Sequence, residues 1–243
     1  MIVYPDVYRA RFVCRPNRFI AECIVEETGE KVTVHVKNTG RGREVFLPNA
    51  EVALSYRPSP KRKTDYDLIA VKKGRQWFNI DSQIPNALAA EGLLDGTIEL
   101  PGLNGGIASI KREKKYGNSQ FDLFIETNKG QQAFVEVKGM TLENERIGAF
   151  PDAPTLRGLK HVKELTAAIH AGYQCYVLFI AQFEQIDVAT INDEMQLELA
   201  QAVLLGQESG LQVLTYNCQV TPETIRVLKA VPFDLNQKFK QPE

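Results

Sequence analysis

Asp122, Glu136 and Lys138 are two carboxylates and an ammonium whose spacing can bring them onto one face of a β-hairpin. Carboxylates placed side by side repel unless a cation lies between them. For oxygen donors that cation is a hard divalent ion such as Mg²⁺, with Mn²⁺ as a substitute. Held there, it polarises a phosphoryl oxygen and activates water, while Lys138 stabilises the attacking hydroxide or the developing charge. The backbone carbonyl of Val137 is a further candidate ligand, and Glu113 is a third acidic candidate near Asp122. The element that must position these groups is the stretch Asn118–Leu142. Phe121–Thr127 and Gln131–Lys138 are strand-like runs, and Asn128-Lys129-Gly130 between them is a loop with glycine where a left-handed residue is wanted. A three-residue loop sets Thr127 across from Gln131 and Asp122 across from Glu136. Side chains alternate along a strand, so Glu136, Lys138 and Asp122 share a face in that register.

The layout resembles the PD-(D/E)xK nuclease core, in which a hairpin carries Asp and, about a dozen residues later, Glu-x-Lys. Glu-x-Lys alone is a weak signal, since Glu113-Lys114-Lys115 matches it too. A solvated ion pair on one sheet face explains Glu136 and Lys138 equally well.

The chain has 243 residues, enough for one large domain or two small ones, and is 44% hydrophobic and 24% charged, as in ordinary globular proteins. No apolar run reaches membrane-spanning length, and the N-terminus lacks the basic-then-apolar layout of a signal peptide. Cys14, Cys23, Cys175 and Cys218 have no CxxC spacing and read as reduced thiols in a cytoplasmic protein. Three histidines argue against a His-rich metal centre. Net charge is −1, but residues 1–80 carry 15 Lys and Arg against 9 Asp and Glu, and the remainder 14 against 21. That asymmetry points to a basic N-terminal part that meets a polyanion.

Residues 1–75, in a first domain of residues 1–80, read as all-β. Tyr8–Cys14, Phe19–Glu26, Lys31–Val36, Val52–Tyr56 and Leu68–Lys73 are five short strands, for which an OB-fold barrel is the natural closed form. Basic residues gather at the connections, among them Arg18, Arg41, Arg43, Lys61, Arg62 and Lys63, and Phe12, Phe19, Tyr56, Tyr66 and Trp77 are interleaved. A basic groove with stacking aromatics suits single-stranded or distorted DNA, although the aromatics can equally fill a small core. Asn38 and Thr39, in the turn after the third strand, are candidates for touching phosphate or base edges.

Residues 81–243 read as α/β. Ser82 is expected to cap a helix over Asn86–Glu91 that Gly92 ends, and Ile107–Tyr116 is expected to be a strand. Glu143–Pro154 reads as a mobile polar loop. Thr155 is expected to cap a helix to about Ala171 with Arg157 and His161 on one face, facing phosphate. Tyr173–Ala181 is a buried strand, Asp193–Glu208 a helix, Leu211–Cys218 a strand, and Ile225–Leu235 a last strand. The order implies a mixed sheet flanked by helices.

His35–Gly40 (HVKNTG), Lys61–Thr64, Glu113–Asp122 (EKKYGNSQFD), Glu136–Leu142 (EVKGMTL) and Phe150–Leu165 (FPDAPTLRGLKHVKEL) together resemble the sugar fermentation stimulation protein A family over nearly the whole chain. The resemblance implies an N-terminal OB-fold, a C-terminal restriction-endonuclease-like domain, DNA binding and a link to regulation of sugar metabolism. It implies nuclease-like residues at Glu113, Asp122, Glu136 and Lys138. Two departures stand out. Ser119-Gln120 replaces the family's usual Ser-Arg, removing a cation, and Pro48-Asn49 replaces Pro-Gly. Two functions remain open: a Mg²⁺-dependent deoxyribonuclease, and a non-catalytic DNA-binding regulator of sugar metabolism genes.

Overall fold

A computed structural model describes residues 1–38, 40 and 42–242. Thr39 and Arg41, two of the expected nucleic-acid contacts, lie outside the described residues. The first strands are β1 (Ile2–Val3), β2 (Val7–Asn17), β3 (Ile20–Val25), β4 (Lys31–Val36), β5 (Glu51–Tyr56), β6 (Tyr66–Lys73) and β7 (Gln76–Asn79). Their sheet runs β4-β3-β2-β5-β6-β7, and a parallel pairing of β4 with β6 closes five of them into an OB barrel. Ala10, Phe12, Ala21, Cys23, Val34, Val36, Val52, Leu54 and Leu68 fill its interior. The alternation that makes β2 and β4 legible fails in β5 and β6, which are buried on both faces. Their outward residues Ala53, Ile69 and Ala70 pack into the second body's core.

That body consists of α1 (Pro85–Asp95), β8 (Ile107–Tyr116), β9 (Ser119–Thr127), β10 (Gln132–Met140), β11 (Leu142–Asn144), β12 (Ile147–Phe150), α2 (Leu156–His170), β13 (Gln174–Ala181), β14 (Val188–Ile191), α3 (Leu197–Glu208), β15 (Gln212–Val220) and β16 (Thr224–Val231). The main sheet runs β1-β16-β15-β13-β10-β9-β8, with β10, β13 and β15 parallel at its centre. Leu88 and Leu93 of α1 cover one face, and Val162 and Leu165 of α2 with Leu199 and Val203 of α3 cover the other. Such parallel centres are buried on both sides, which is why β13 is continuously apolar. Among the described residues no helix is long and apolar enough to cross a membrane.

Several local expectations need correction. Ser82 does not cap α1: its hydroxyl donates to the Lys37 carbonyl at 2.6 Å, and the helix begins at Pro85. Gly92 does not end it either. A Cβ there would sit 2.7 Å from Ile98 Cδ1, so the glycine admits a close contact, and the left-handed Gly96 (φ 82°) is the stop. The Glu143–Pro154 stretch is ordered, because Ile147–Phe150 pairs with both β11 and β14 and Leu142 and Ala149 are buried against Phe239. Glu143 and Asn144 belong to β11, and only Glu145-Arg146, both left-handed (φ 52° and 65°), form the turn of that small hairpin. Helix α3 begins at Leu197, not Asp193. Thr155 does cap α2, its Oγ1 accepting the Gly158 N–H at 3.0 Å. Asn49 adopts the left-handed conformation (φ 59°) that the family's glycine would take.

Candidate metal centre and nucleic-acid interface

Strands β9 and β10 hold the register that the loop length sets. Gln132 faces Glu126, Phe134 faces Phe124 and Val135 faces Leu123, and the Thr127 N–H donates to the Gln131 carbonyl at 2.9 Å. Continued by one pair, the same count sets Asp122 across from Glu136, where ladder pairing stops. There the Val137 N–H donates to Asp122 Oδ2 at 2.9 Å. Asn86 Nδ2, from the first turn of α1, donates to Oδ1 at 2.9 Å.

Glu136 is only 2% exposed. Its Oε1 accepts from His161 Nδ1 and from Lys138 Nζ, the latter at 2.5 Å. Its Oε2 is buried with no hydrogen-bond partner among the described residues. An unsatisfied buried acceptor costs about 1–3 kcal/mol, more when charged, and a cation is the group that would satisfy it. Burial, and then the charge of Glu136, pushes the Asp122 carboxyl above the ordinary aspartate range. Burial alone would push Glu136 up as well, but the His161 hydrogen bond and the Lys138 charge outweigh it and hold Glu136 below the ordinary range. Both carboxylates, one free oxygen and the hard-oxygen chemistry of the pair fit a divalent cation.

Glu113 does not join the pair. The β8–β9 register, Arg112 with Leu123 and Lys114 with Phe121, sets it across from Asp122. Its backbone is left-handed (φ 53°), and its exposed carboxylate accepts from Gln120 Nε2 at 3.2 Å. Gln120 occupies the position of the family's arginine, so this departure ties Glu113 to its own hairpin. Among the described residues no three His, Cys, Asp or Glu side chains converge as a metal cluster.

His161 also departs from expectation. It is 5% exposed and bonded to Glu136, with its ring edge-on to Phe121 at 6.0 Å. It orients the carboxylate and is not a surface contact for phosphate. Arg157, one turn earlier, is exposed, as are Arg18, Arg43, Lys61 and Lys63. Arg62 is committed to the buried Asp67, with Nη1 3.3 Å from Oδ2 and Nη2 bonded to Oδ1, and His35 Nδ1 lies 3.1 Å from the same carboxylate. It is a structural cation. Asn38 Oδ1 accepts the Gly40 N–H at 2.7 Å. Phe12 belongs to the barrel core, Tyr56 and Tyr66 cluster with Tyr8, and Trp77 lies under Arg9 and Lys72. Phe19, 54% exposed, is the aromatic left open for stacking.

Sequence reasoning missed Asn86. No local pattern marks it, because its partner lies 36 residues away; its position one residue after Pro85 is the only trace. It also missed Lys160, whose ammonium donates to the Asn118 carbonyl at 2.7 Å and ties α2 to the turn before β9.

A closed barrel joined to a mixed sheet whose central hairpin presents Asp, Glu and Lys defines an OB-fold protein with a restriction-endonuclease-like body. Residues 13–80 match the family model described as the SfsA N-terminal OB domain, and residues 83–224 match the sugar fermentation stimulation protein RE domain. The chain belongs to the sugar fermentation stimulation protein A (SfsA) family. It is 61% identical over 239 residues to the sugar fermentation stimulation protein homolog of Enterococcus mundtii, covering 98% of each chain. It is 44% identical over 223 residues to the homolog of Clostridium acetobutylicum, covering 91% of this chain and 94% of that one. Its fold is similar to that of Pyrococcus furiosus SfsA, solved in complex with Ca²⁺, with a TM-score of 0.82 at 24% identity over 96% of this chain and 98% of that one.

Proposed function

We propose that this protein is a divalent-metal-dependent DNA phosphodiesterase, in which residues 1–80 grip DNA and residues 81–243 cleave it. The observation that carries the reading is the buried Glu136 carboxylate, with one oxygen oriented by His161 and Lys138, the other buried without a partner among the described residues, and its charge acting on Asp122. Asp122 and Glu136 would hold Mg²⁺ or Mn²⁺. Val137, whose N–H is on Asp122, offers its carbonyl on the same strand edge, since the N–H and C=O of one strand residue point the same way. A relative of the same fold was solved with Ca²⁺, another hard cation. When bound, such an ion polarises a phosphoryl oxygen and lowers the pKa of water. Asn86 and the Val137 N–H fix Asp122, and His161 fixes Glu136. Lys138, its ammonium bonded to Glu136 and its side chain 21% exposed, would stabilise the attacking oxygen and the charge that develops on phosphorus. The basic residues 1–80 and the exposed Lys61, Lys63, Arg18 and Arg43 supply the electrostatic grip on the backbone.

A second reading, a non-catalytic DNA-binding regulator of sugar metabolism genes, draws on two observations. Glu113 stands apart from the acidic pair, and Lys138 is engaged by Glu136. One experiment separates the two. Labelled single- and double-stranded DNA is incubated with wild type, Asp122→Asn and Lys138→Ala in Mg²⁺, Mn²⁺ or EDTA. We expect metal-dependent cleavage by wild type and a loss of about 10²-fold or more in each variant. Wild type that binds DNA and cleaves none under any metal leaves the regulator reading standing and removes the catalytic one.

A further inference from the structure

In open α/β sheets ligands bind in the crevice beyond the carboxyl ends of parallel strands. Here β10 and β13 are parallel and end at Met140 and Ala181. A cavity of about 170 Å³ opens there, one residue beyond Lys138 along β10. Gly139 lines it from β10, Gln182 from just past β13, Phe150 from the end of β12, Asp152 from just beyond it, and Asn38 from the segment after β4.

Hydrogen bonds hold two polar groups of this cavity, Gln182 and Asn38, in place. Gln182 is 1% exposed, and its Nε2 donates to Asn79 Oδ1 at 2.9 Å and to the Asp81 carbonyl at 3.1 Å. Those two acceptors fix which end of the carboxamide is oxygen, and Oε1 is left beside Gly139, where a Cβ would be 2.5 Å from it. Asp152 Oδ2 is seated against Gly40, where a Cβ would be 2.3 Å away. The two glycines thus clear room around two acceptor oxygens. Asn38, whose Oδ1 already accepts from Gly40, has its amide nitrogen left to donate. The wall formed by Phe150, its ring 5.3 Å from that of Phe179, is apolar.

We propose that this cavity receives a single unstacked pyrimidine carrying an exocyclic amine, a cytosine, from the DNA strand that passes the metal pair. The proposal rests on the DNA-binding reading above. A cavity of about 150 Å³ accommodates one benzene-sized ring, so this one of about 170 Å³ matches a pyrimidine in size better than a fused purine. The acceptors Gln182 Oε1 and Asp152 match the N4 amine of cytosine, whereas thymine would present its O4 to them and leave both without a donor. Asn38 would donate to the ring's remaining acceptors, N3 or O2.

Fluorescence anisotropy tests this with a labelled oligothymidine of about 12 nucleotides and three copies in which one central residue is replaced by dC, dU or dA, all in Ca²⁺. Wild type is expected to bind the dC oligomer about fivefold or more tightly than the dT, dU and dA oligomers. Asp152→Asn, which can turn an N–H toward O4, should cut that preference to below about twofold, and Asn38→Ala, on the barrel side, should narrow it too. Thermal melts of both variants identify any that fail to fold. Equal binding of all four oligomers by wild type overturns the cytosine pocket while leaving DNA binding intact. Absence of binding to any of the four, and to duplex DNA, overturns the DNA reading together with it.

Discussion

Replacing His161 by alanine is the perturbation from which most can be learned. Its imidazole is buried, bonds the carboxylate of Glu136 and lies edge-on to Phe121. A hydrogen bond to a charged group contributes about 1.5–3 kcal/mol, and removal of a buried ring adds a cavity cost of the same order. The expected loss of stability is therefore about 3–5 kcal/mol. His161→Gln, which keeps a donor and part of the volume, should lose clearly less. The pH dependence gives a second readout. Glu136 is held below its ordinary value, so its contribution is present above the unfolded value of about 4.5 and is lost as pH falls through the folded one. Asp122 acts with the opposite sign, since its carboxyl is raised. His161→Ala removes the leading interaction that lowers Glu136 and should flatten the rise of stability between acid and neutral pH. Urea unfolding from about pH 2.5 to about pH 7 measures this, a range that runs well below about 4.5. Calorimetric titration with Ca²⁺ should show affinity falling by about 10–100-fold, as for other groups that orient a ligand. A variant within about 0.5 kcal/mol of wild type, with unchanged Ca²⁺ affinity, would refute the reasoning.

Two other perturbations follow from buried or shared charges. Burial, and then the charge of Asp152, raises the Glu44 carboxyl, whose Oε1 is buried without a partner among the described residues. A raised acid destabilises the fold above its folded pKa, so Glu44→Gln should increase the urea midpoint at pH 7.5 and leave it unchanged below about pH 4; a lower midpoint at pH 7.5 would contradict this. Arg62→Ala should cost about 2–3 kcal/mol, somewhat less than for a fully buried pair, because Arg62 is 26% exposed while Asp67 is 5% exposed. Lys61→Ala and Lys63→Ala should leave stability unchanged and reduce the salt dependence of DNA binding by about one unit each; a flat salt response in wild type would remove the barrel as the gripping surface.

The hairpin site was legible because strand geometry is local. A three-residue loop with glycine sets the register, and a period of two sets the face, so Asp122, Glu136 and Lys138 could be placed together from their spacing alone. The cap at Thr155 and the strands β4 and β8 were legible for the same reason. What the local pattern misassigned was set by partners far away in the chain. Gly92 looks like a helix stop until Ile98 fills the space above it, and Glu143–Pro154 looks like loop until Ile147–Phe150 pairs with β11 and β14. His161 reads as a basic residue on a helix face, and only the packing of α2 on β13 and β9 turns it inward to Glu136. Arg62 sits in an exposed-looking basic run, yet Asp67, buried where β4 and β6 close the barrel, claims its guanidinium. By itself, then, the sequence determined which groups lie together along one hairpin, because backbone periodicity is a property of neighbouring residues. Only the tertiary structure decided which charges are engaged, which oxygen of Glu136 is left without a partner among the described residues and where a cavity remains, because burial and pairing depend on elements that meet only when the barrel and the mixed sheet close against one another.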